Sequence, residues 1–343
     1  MNDRSIAILS TGLVTSVGLS APASCAAIRA KISSPTETRF IDSNGEWIMA
    51  HQVQLDKPWR GRAKLAKMAA MAIEECLEGV ERSEWSRIPL LLCVAEKDRP
   101  GRMEGLDDRL LGEVEEALEV RLGAGSAVIA WGRVSVLVAH VAGQKIVSDN
   151  RSPSVLIVAT DSLSNWSTLS AYVEDDRLLT SQQSNGFLPG EASGALLIGQ
   201  SNESASIVCE AVDFGAEPAN VHAELPLRAQ GLTTAIKRAL AKSGRGMQDI
   251  SFGMADASGE SYYFKEAALA LTRTLRQRRE SFDIWHPAEC VGETGAAIGA
   301  VVIAVAFAAT EKSYAPGDVV LAHLSNDAGQ RAATVLYRQG RRQ

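Results

Sequence analysis

The sequence predicts an α/β protein made of two successive halves. Short apolar runs alternate with helical patterns along the chain, as expected for strands covered by helices. The alternation begins again after residue 204, and each half ends in paired strands, which suggests an internal duplication at the level of structure. We place the halves at residues 1–204 and 205–343. No flexible linker separates them, so we expect one shared core.

In the first half, short apolar runs bounded by turn residues predict strands at residues 5–9, 88–95, 126–131, 154–159 and 195–198. Helical spacing of apolar residues predicts helices at 21–31, 62–77, 106–121 and 134–147. The polar segment from 166 to 184 is interpreted as a cap or rim around a site. A turn at 201–204 is predicted to end this half.

In the second half, the same criteria predict strands at 206–212, 250–254, 318–324 and 332–337. Helices are predicted at 232–243, 263–278 and 294–310, and loops at 214–218 and 285–292. The longest apolar run, 296–309, is too short to span a bilayer and is rich in alanine. It therefore predicts a buried helix.

Composition restricts the class of protein. The chain has 343 residues, 46% hydrophobic and 22% charged, with a formal net charge of −6. This is ample for a large core, and the mild acidity predicts no general affinity for nucleic acid or anionic membranes. The N-terminus lacks a signal-peptide pattern, and the five cysteines are scattered without metal-ligand spacing. We expect a cytoplasmic protein without disulfides, metal or cofactor.

The most distinctive stretch is Gly-Phe-Leu-Pro-Gly-Glu-Ala-Ser-Gly at residues 186–194, which runs into an apolar strand. Its Pro-Gly pair predicts a turn, and the last glycine predicts the close approach of another backbone. A polar loop with a single acid would then be aimed into the middle of a sheet. The structural positions of this loop are Gly186, Phe187, Gly190, Glu191 and Gly194.

This stretch resembles the Gly-Phe-x-x-Gly-Glu-Gly-Ala-Gly loop of the β-ketoacyl-acyl carrier protein synthases, which belong to the thiolase superfamily. Residues 10–18 resemble the first loop of these enzymes, and residues 290–299 resemble their Gly-His-x-x-Gly-Ala-Ala-Gly segment. The resemblance implies a thiolase-like fold with five layers, α/β/α/β/α. It also implies a dimer formed through the strand at 126–131.

The resemblance further implies a nucleophilic cysteine on the elbow after that strand, but the elbow here reads Ala-Trp-Gly-Arg-Val-Ser over residues 130–135. Trp131 and Arg133 are bulky where an acyl chain would enter, and Gly132 forms the elbow itself. Ser135 is the only hydroxyl, and we expect it about one turn into the following helix. None of these residues supplies a thiol.

The two histidines of the family fall on other residue types. The first falls on Ala255 or Asp256 and the second on Gly292 or Glu293, while the glycine-rich C-terminal loop is replaced by residues 324–331. These matches predict a vestigial pocket without a complete catalytic set. Its members are Trp131, Gly132, Arg133, Ser135, Asp256, Ser258, Glu260, Cys290, Gly292, Glu293 and Asn326.

A re-tooled site is the alternative. Cys290 precedes the predicted central helix, whose dipole would favour a thiolate, and His286 or Asp256 could serve as its partner in an acyl or thioester site. The simpler interpretation is that Cys290 is a half-buried loop residue and Glu293 an acid in the first turn of the helix. The N-terminus of that helix would offer free N–H groups to an acyl oxygen or phosphate.

Two functions therefore follow from the sequence. In the first, the protein is a non-catalytic homodimer that acts as a binding scaffold or accessory protein, for example a chaperone or adaptor of a secreted effector, or a partner of an active synthase. In the second, it is an acyltransferase or condensing enzyme with Cys290 as a relocated nucleophile. A blocked pocket favours the first function, and an open tunnel to Cys290 favours the second.

Overall fold

The computed structural model describes residues 6–201 and 207–339. The strands of this part of the chain are β1 (Ile6–Thr15), β2 (Thr36–Ile41), β3 (Trp47–Ala50), β4 (Pro89–Cys93), β5 (Gly123–Ile129), β6 (Ser154–Ser162), β7 (Glu191–Gln200), β8 (Ile207–Ala216), β9 (Phe252–Ala255), β10 (Ile284–Trp285), β11 (Val319–Ser325) and β12 (Gln330–Arg338). The helices are α1 (Ala21–Arg29), α2 (Gly61–Cys76), α3 (Leu110–Leu118), α4 (Ser135–Ser148), α5 (Trp166–Glu174), α6 (Gln230–Ser243), α7 (Ser261–Thr274), α8 (Ala288–Val291) and α9 (Ile298–Glu311).

The main sheet repeats one topology. Its strand order is β10-β9-β11-β12-β8-β1-β7-β6-β4-β5. The half-sheet β5-β4-β6-β7-β1 and the half-sheet β10-β9-β11-β12-β8 have the same order and the same pattern of parallel and antiparallel pairs. A short antiparallel pairing of Ile6–Ile8 with Ile207–Cys209 joins them. The predicted turn at 201–204 and the boundary at 204/205 lie outside the described residues, apart from Ser201.

The helices arrange these half-sheets into five layers. Helices α4 and α9 contact strands of both halves, and one apolar cluster contains residues of both half-sheets together with these helices. Helices α2 and α3 share a second cluster with the first half-sheet, and α6 packs on the second half-sheet in a third. The predicted α/β/α/β/α architecture is therefore confirmed.

Helix α9 is the centre of this arrangement. It is buried over almost its whole length and begins after a short turn of 3₁₀ helix at residues 295–297, in agreement with the predicted buried helix. Gly194 on β7 allows the close approach, since a Cβ there would lie 2.6 Å from Ala300 Cβ. The predicted close approach at Gly194 is confirmed, but the nearest atom belongs to a helix side chain rather than to another backbone.

Several predicted boundaries are wrong. Residues 10–15, predicted as loop, continue β1 beyond a register shift between Ile8 and Ser10. The predicted loop at 214–218 begins inside β8, and the polar segment after residue 166 contains α5, which Asn165 caps by accepting from Thr168 N. The hairpin formed by β2 and β3 was not predicted, because polar and apolar residues alternate over too few positions in each strand. No helix in the described ranges is long and apolar enough to cross a membrane.

Candidate functional site

The central residue of the elbow between β5 and α4 is Gly132, which carries no side chain. Gly132 adopts φ 54°, a left-handed conformation that favours glycine. A Cβ at this position would lie 2.1 Å from Glu96 Oε2 and 3.1 Å from Asn326 Oδ1. The space beside the elbow is therefore already occupied by a carboxylate and an amide.

Two neighbours of the elbow differ from the predictions. Ser135 is the first residue of α4, rather than a turn into it, and its buried hydroxyl accepts from Trp131 N (3.0 Å) and donates to Ile129 O (3.2 Å). The Trp131 side chain is 50% exposed, so it does not block an internal pocket. Its carbonyl accepts a 2.7 Å hydrogen bond from Asn326 Nδ2. Ser135 and Asn326 thus hold the elbow in shape.

Arg133 projects from the elbow into the site. Its buried guanidinium donates to Glu293 Oε2 at 3.0 Å and to the Tyr263 hydroxyl at 2.7 Å. It also contacts Asp327. The guanidinium lies 4.6 Å from the centre of the Tyr263 ring, a cation–π distance.

Asp327 links a second arginine to this one. Arg177 donates to Asp327 Oδ2 at 2.7 Å and makes a bidentate pair with Glu260, with both distances 2.8 Å. Burial alone would raise the pKa of Asp327, but Arg133 and Arg177 outweigh burial and hold this pKa well below its usual range. Asp327 is therefore ionised at neutral pH.

The amide groups before α9 are already used. Gly295 N donates to Glu293 Oε1 at 2.9 Å, and Ala296 N donates to Asp161 Oδ2 at 2.7 Å. Asp161 is in turn paired with Arg99 at 2.6 Å, and Arg99 also binds Glu96 at 2.8 Å. The expectation of free N–H groups for an acyl oxygen or phosphate is therefore wrong at these two positions.

The histidine positions were predicted at Ala255 or Asp256 and at Gly292 or Glu293, and the structure shows the two acids among them to be buried. Asp256 accepts from Ser325 N at 2.8 Å, and burial raises its pKa although Arg133 opposes this effect. Glu293 also accepts from Ser258 Oγ at 3.0 Å. Burial raises the pKa of Glu293 to about 7, with Arg133 opposing.

We call this set the arginine network: three arginines and six acids in the middle of the fold. Their ion pairs form two groups, one around Arg99 and one around Arg133 and Arg177. The cavity among them is only about 10 Å³, enough for about one water molecule at most. An acyl chain has no room there. The network consists of Arg99, Arg133 and Arg177 with Glu96, Asp161, Asp256, Glu260, Glu293 and Asp327.

The alternative catalytic set is not assembled. Cys290 lies in α8 with its buried thiol 3.9 Å from Ile28 O, and burial raises its pKa, which disfavours a thiolate. His286 Nδ1 has no hydrogen-bond partner, and burial lowers the pKa of this imidazole. Within residues 6–201 and 207–339, no hydrogen bond joins Cys290 to His286 or to Asp256. The same ranges contain no group of metal-ligand side chains that could hold a metal ion.

The segment 186–190 is extended and does not form the predicted turn. Gly190 N donates to Glu293 O at 2.8 Å, and His51 N donates to Pro189 O at 2.8 Å. The same register places a Cβ of Gly292 (φ 73°) only 2.7 Å from Leu188 O, so that glycine is required there. These contacts with the segment therefore fix the backbone position of Glu293.

Neighbouring positions of this segment are also structural. Phe187 is buried beside Tyr172, and a Cβ on Gly186 would lie 2.5 Å from the Leu178 carbonyl carbon. Glu191 starts β7 instead of lying in a loop. Its carboxylate accepts from Ser162 Oγ at 2.8 Å and from Lys64 Nζ.

Sequence reasoning missed the partners that make Arg133 part of a network. They are distant in the chain and come from a strand end, from the rim segment and from helix α7. An acid at the end of an apolar strand was the local signal, and it was present at Glu96, directly after the predicted strand 88–95, and at Asp161, near the end of β6. The missed members are Glu96, Arg99, Asp161, Arg177, Tyr263 and Asp327.

Comparison with solved structures agrees with this architecture. The ketosynthase ApeO in complex with its chain length factor ApeC, from Xenorhabdus doucetiae, matches with a TM-score of 0.77 at 13% identity, covering 98% of both chains. A β-ketoacyl synthase from Burkholderia phymatum matches with a TM-score of 0.74 at 13% identity, over 98% of this chain and 99% of that one. The oxazolomycin ketosynthase domain OzmH from Streptomyces albus matches with a TM-score of 0.81 at 12% identity, over 99% of this chain and 75% of that one.

No known protein-family model and no curated protein matches the sequence. At sequence identities this low, the structural similarity supports a conclusion about the fold alone. It agrees with the repeated half-sheets and the central helices described above. The chain therefore has the thiolase-like fold of the β-ketoacyl synthases.

Proposed function

We propose that this protein is a non-catalytic thiolase-fold protein that acts as a dimeric binding scaffold, most specifically as an accessory partner of an active synthase. One observation carries the proposal. The elbow residue is Gly132, and Glu96 occupies the space into which a nucleophilic side chain would project. Acyl transfer through a covalent intermediate needs a nucleophile at such a position.

The surroundings of the elbow support the same conclusion. An acyl-transfer site needs N–H donors aimed at a developing oxyanion, and the donors Gly295 N and Ala296 N are bound to Glu293 and Asp161. The site also needs room for a substrate, and the cavity holds about one water. Substrate would have to displace the buried pairs of Arg133.

The edge of the sheet supports a protein partner. Strand β5 is the last strand of the described sheet, and several of its residues are partly or fully exposed. An unpaired strand edge is a template for pairing with another chain. One structurally similar protein is a ketosynthase bound to its chain length factor, which supports an active synthase as partner over a secreted effector.

Intact-mass spectrometry tests the absence of acyl transfer. The protein is incubated with acyl-coenzyme A and with acyl-carrier thioesters of several chain lengths, beside a Cys290→Ala variant. We expect no adduct on either protein, because the Cys290 thiol is buried and its pKa is raised. An acyl adduct on the wild type that disappears in Cys290→Ala would replace the scaffold by an enzyme with a relocated nucleophile.

A further inference from the structure

A second cavity, separate from the arginine network, lies beside helix α1. Its volume is about 270 Å³, and its walls come from α1, from β10 and the residues after it, and from α9 and the segment that follows. None of its lining residues belongs to the arginine network. Ligand sites in proteins begin at about 300 Å³, so this cavity suits a small ligand.

One wall of the cavity is aromatic. The rings of Trp285 and Tyr314 are nearly parallel, with an interplanar angle of 17° and centroids 6.3 Å apart. Trp285 is supported from within by Phe252, whose ring centroid lies 4.7 Å away. Ile28 and Val305 add aliphatic surface. A flat apolar ligand would bury its faces well against such a wall.

A cation stands beside this wall. The exposed Arg29 lines the cavity, and its guanidinium carbon lies 4.2 Å from the centre of the Tyr314 ring. Within the described part of the chain, no carboxylate lies within salt-bridge distance of Arg29, whereas the neighbouring Lys31 is paired with Glu289 at 2.7 Å. Arg29 is therefore available to an anion from solution, and its planar fork matches a carboxylate.

Two polar atoms of the lining residues lack partners. The Tyr314 hydroxyl and His286 Nδ1 are buried and make no hydrogen bond to the described residues. Buried polar groups are normally satisfied, and leaving them without a partner is unfavourable. A ligand that brings oxygen atoms into the cavity would supply the missing acceptor for the Tyr314 hydroxyl.

We propose that this cavity binds a small aromatic carboxylate. The ring lies against Trp285 and Tyr314, and the carboxylate pairs with Arg29. Aromatic walls select the ring, the single available guanidinium selects the negative charge, and the volume limits the ligand to one or two fused rings. This binding function is independent of whether the chain pairs with a synthase.

Isothermal titration of the full chain with benzoate, benzamide and hexanoate tests the proposal. We expect benzoate to bind at least about tenfold more tightly than the neutral benzamide, because a charge-assisted pair with arginine is lost in the amide. Hexanoate keeps the charge but cannot stack, and it should bind more weakly than benzoate. Equal binding of benzoate and benzamide, equal binding of benzoate and hexanoate, or no binding of benzoate, would overturn the proposal.

Variants test the contribution of the Arg29 charge and that of the cavity separately. Arg29→Gln should abolish the preference for benzoate over benzamide, while Arg121→Gln, which removes another exposed arginine, should leave it unchanged. Val305→Phe should fill the cavity and prevent binding of both ligands, with its thermal midpoint confirming that it folds. Since Arg29 is exposed, we expect Arg29→Gln to fold as the wild type does. Unchanged discrimination in Arg29→Gln would contradict the assigned role of the guanidinium.

Discussion

Arg133 donates a 3.0 Å hydrogen bond to Glu293, although the two residues are 160 positions apart. Arg133 follows the elbow after β5, and Glu293 precedes the central helix. The pair therefore ties the first half of the chain to the second inside the closed site. The two partners are not equivalent, because Arg133 is the partner of both Glu293 and Asp327, whereas Glu293 is one of six acids around three arginines.

Removing the positive charge of Arg133 should lower the stability of the protein much more than neutralising the negative charge of Glu293. Arg133→Met leaves Glu293 and Asp327 buried without their shared partner, and we expect a loss of about 3–5 kcal/mol in the free energy of unfolding. Glu293→Gln keeps the shape and one acceptor oxygen, but its amide nitrogen cannot accept at the other position, so it should cost about 1–2 kcal/mol. Urea denaturation of both variants measures this asymmetry. Equal losses would contradict an excess of buried negative charge.

The raised pKa of Glu293 predicts a pH dependence. Its folded-state pKa of about 7 lies above its ordinary value of 4.5, so the folded state binds more protons between these values and stability falls as the pH rises through them. Relative to Glu293→Gln, the wild type should therefore lose roughly 2 kcal/mol between pH 5 and pH 8. Taking the difference in stability between the two proteins cancels the contributions of the titratable groups that they share. A constant difference across this range would rule out the raised pKa.

The closed elbow predicts an energetic coupling between Gly132 and Glu96. Gly132→Ala places a side chain on a left-handed backbone, which costs about 1–2 kcal/mol, and adds a clash with the Glu96 carboxylate. In a Glu96→Ala background the clash with the carboxylate is absent, so the two substitutions should couple by at least about 0.5 kcal/mol.

Gly244→Ala is the matched control for this cycle. Gly244 also has a positive φ, of 71°, but a Cβ there meets no atom within 4 Å. The loss of stability caused by Gly244→Ala should be the same with and without the Glu96 side chain. If Gly132→Ala behaved in the same way, then Glu96 would not occupy the elbow.

Pairing through β5 can be tested at one backbone N–H. Ile129 O accepts from Val94 N, so the backbone groups of Ile129 face β4 and those of the alternate residue Val128 face the free edge. Val128→Pro removes the outward N–H and should convert the proposed dimer to a monomer, whereas Val128→Ala keeps the N–H and should leave the proposed dimer intact. Analytical ultracentrifugation distinguishes these states. A dimer of Val128→Pro would exclude pairing through this strand.

Much of the fold was predictable because its signals are local. The apolar run at 296–309 predicted the buried helix α9, and the glycine at 194 predicted a close approach, since each depends on residues adjacent in sequence. Boundaries failed where tertiary pairing overrides local preference. Residues 10–15 read as a small-residue loop, yet pairing with β7 extends them into β1.

The candidate site was predicted only in part. Arg133, Asp256 and Glu293 were identified because they occupy positions of recognisable motifs. Arg177 and Asp327 are joined across 150 residues, and no periodicity or spacing in the sequence records such a pair. The motif also could not show that Cys290 faces Ile28 instead of the network, because side-chain direction in a four-residue helix depends on its packing.

Release of carbon dioxide from a malonyl-carrier thioester tests most directly whether the closed site is without condensing chemistry. We expect the wild-type protein to release no more carbon dioxide than a protein-free control, because the arginine network leaves a cavity of only about 10 Å³. Release above the control that is lost in Asp256→Asn or Glu293→Gln would show that these buried acids act on substrate, and would rule out a non-catalytic site.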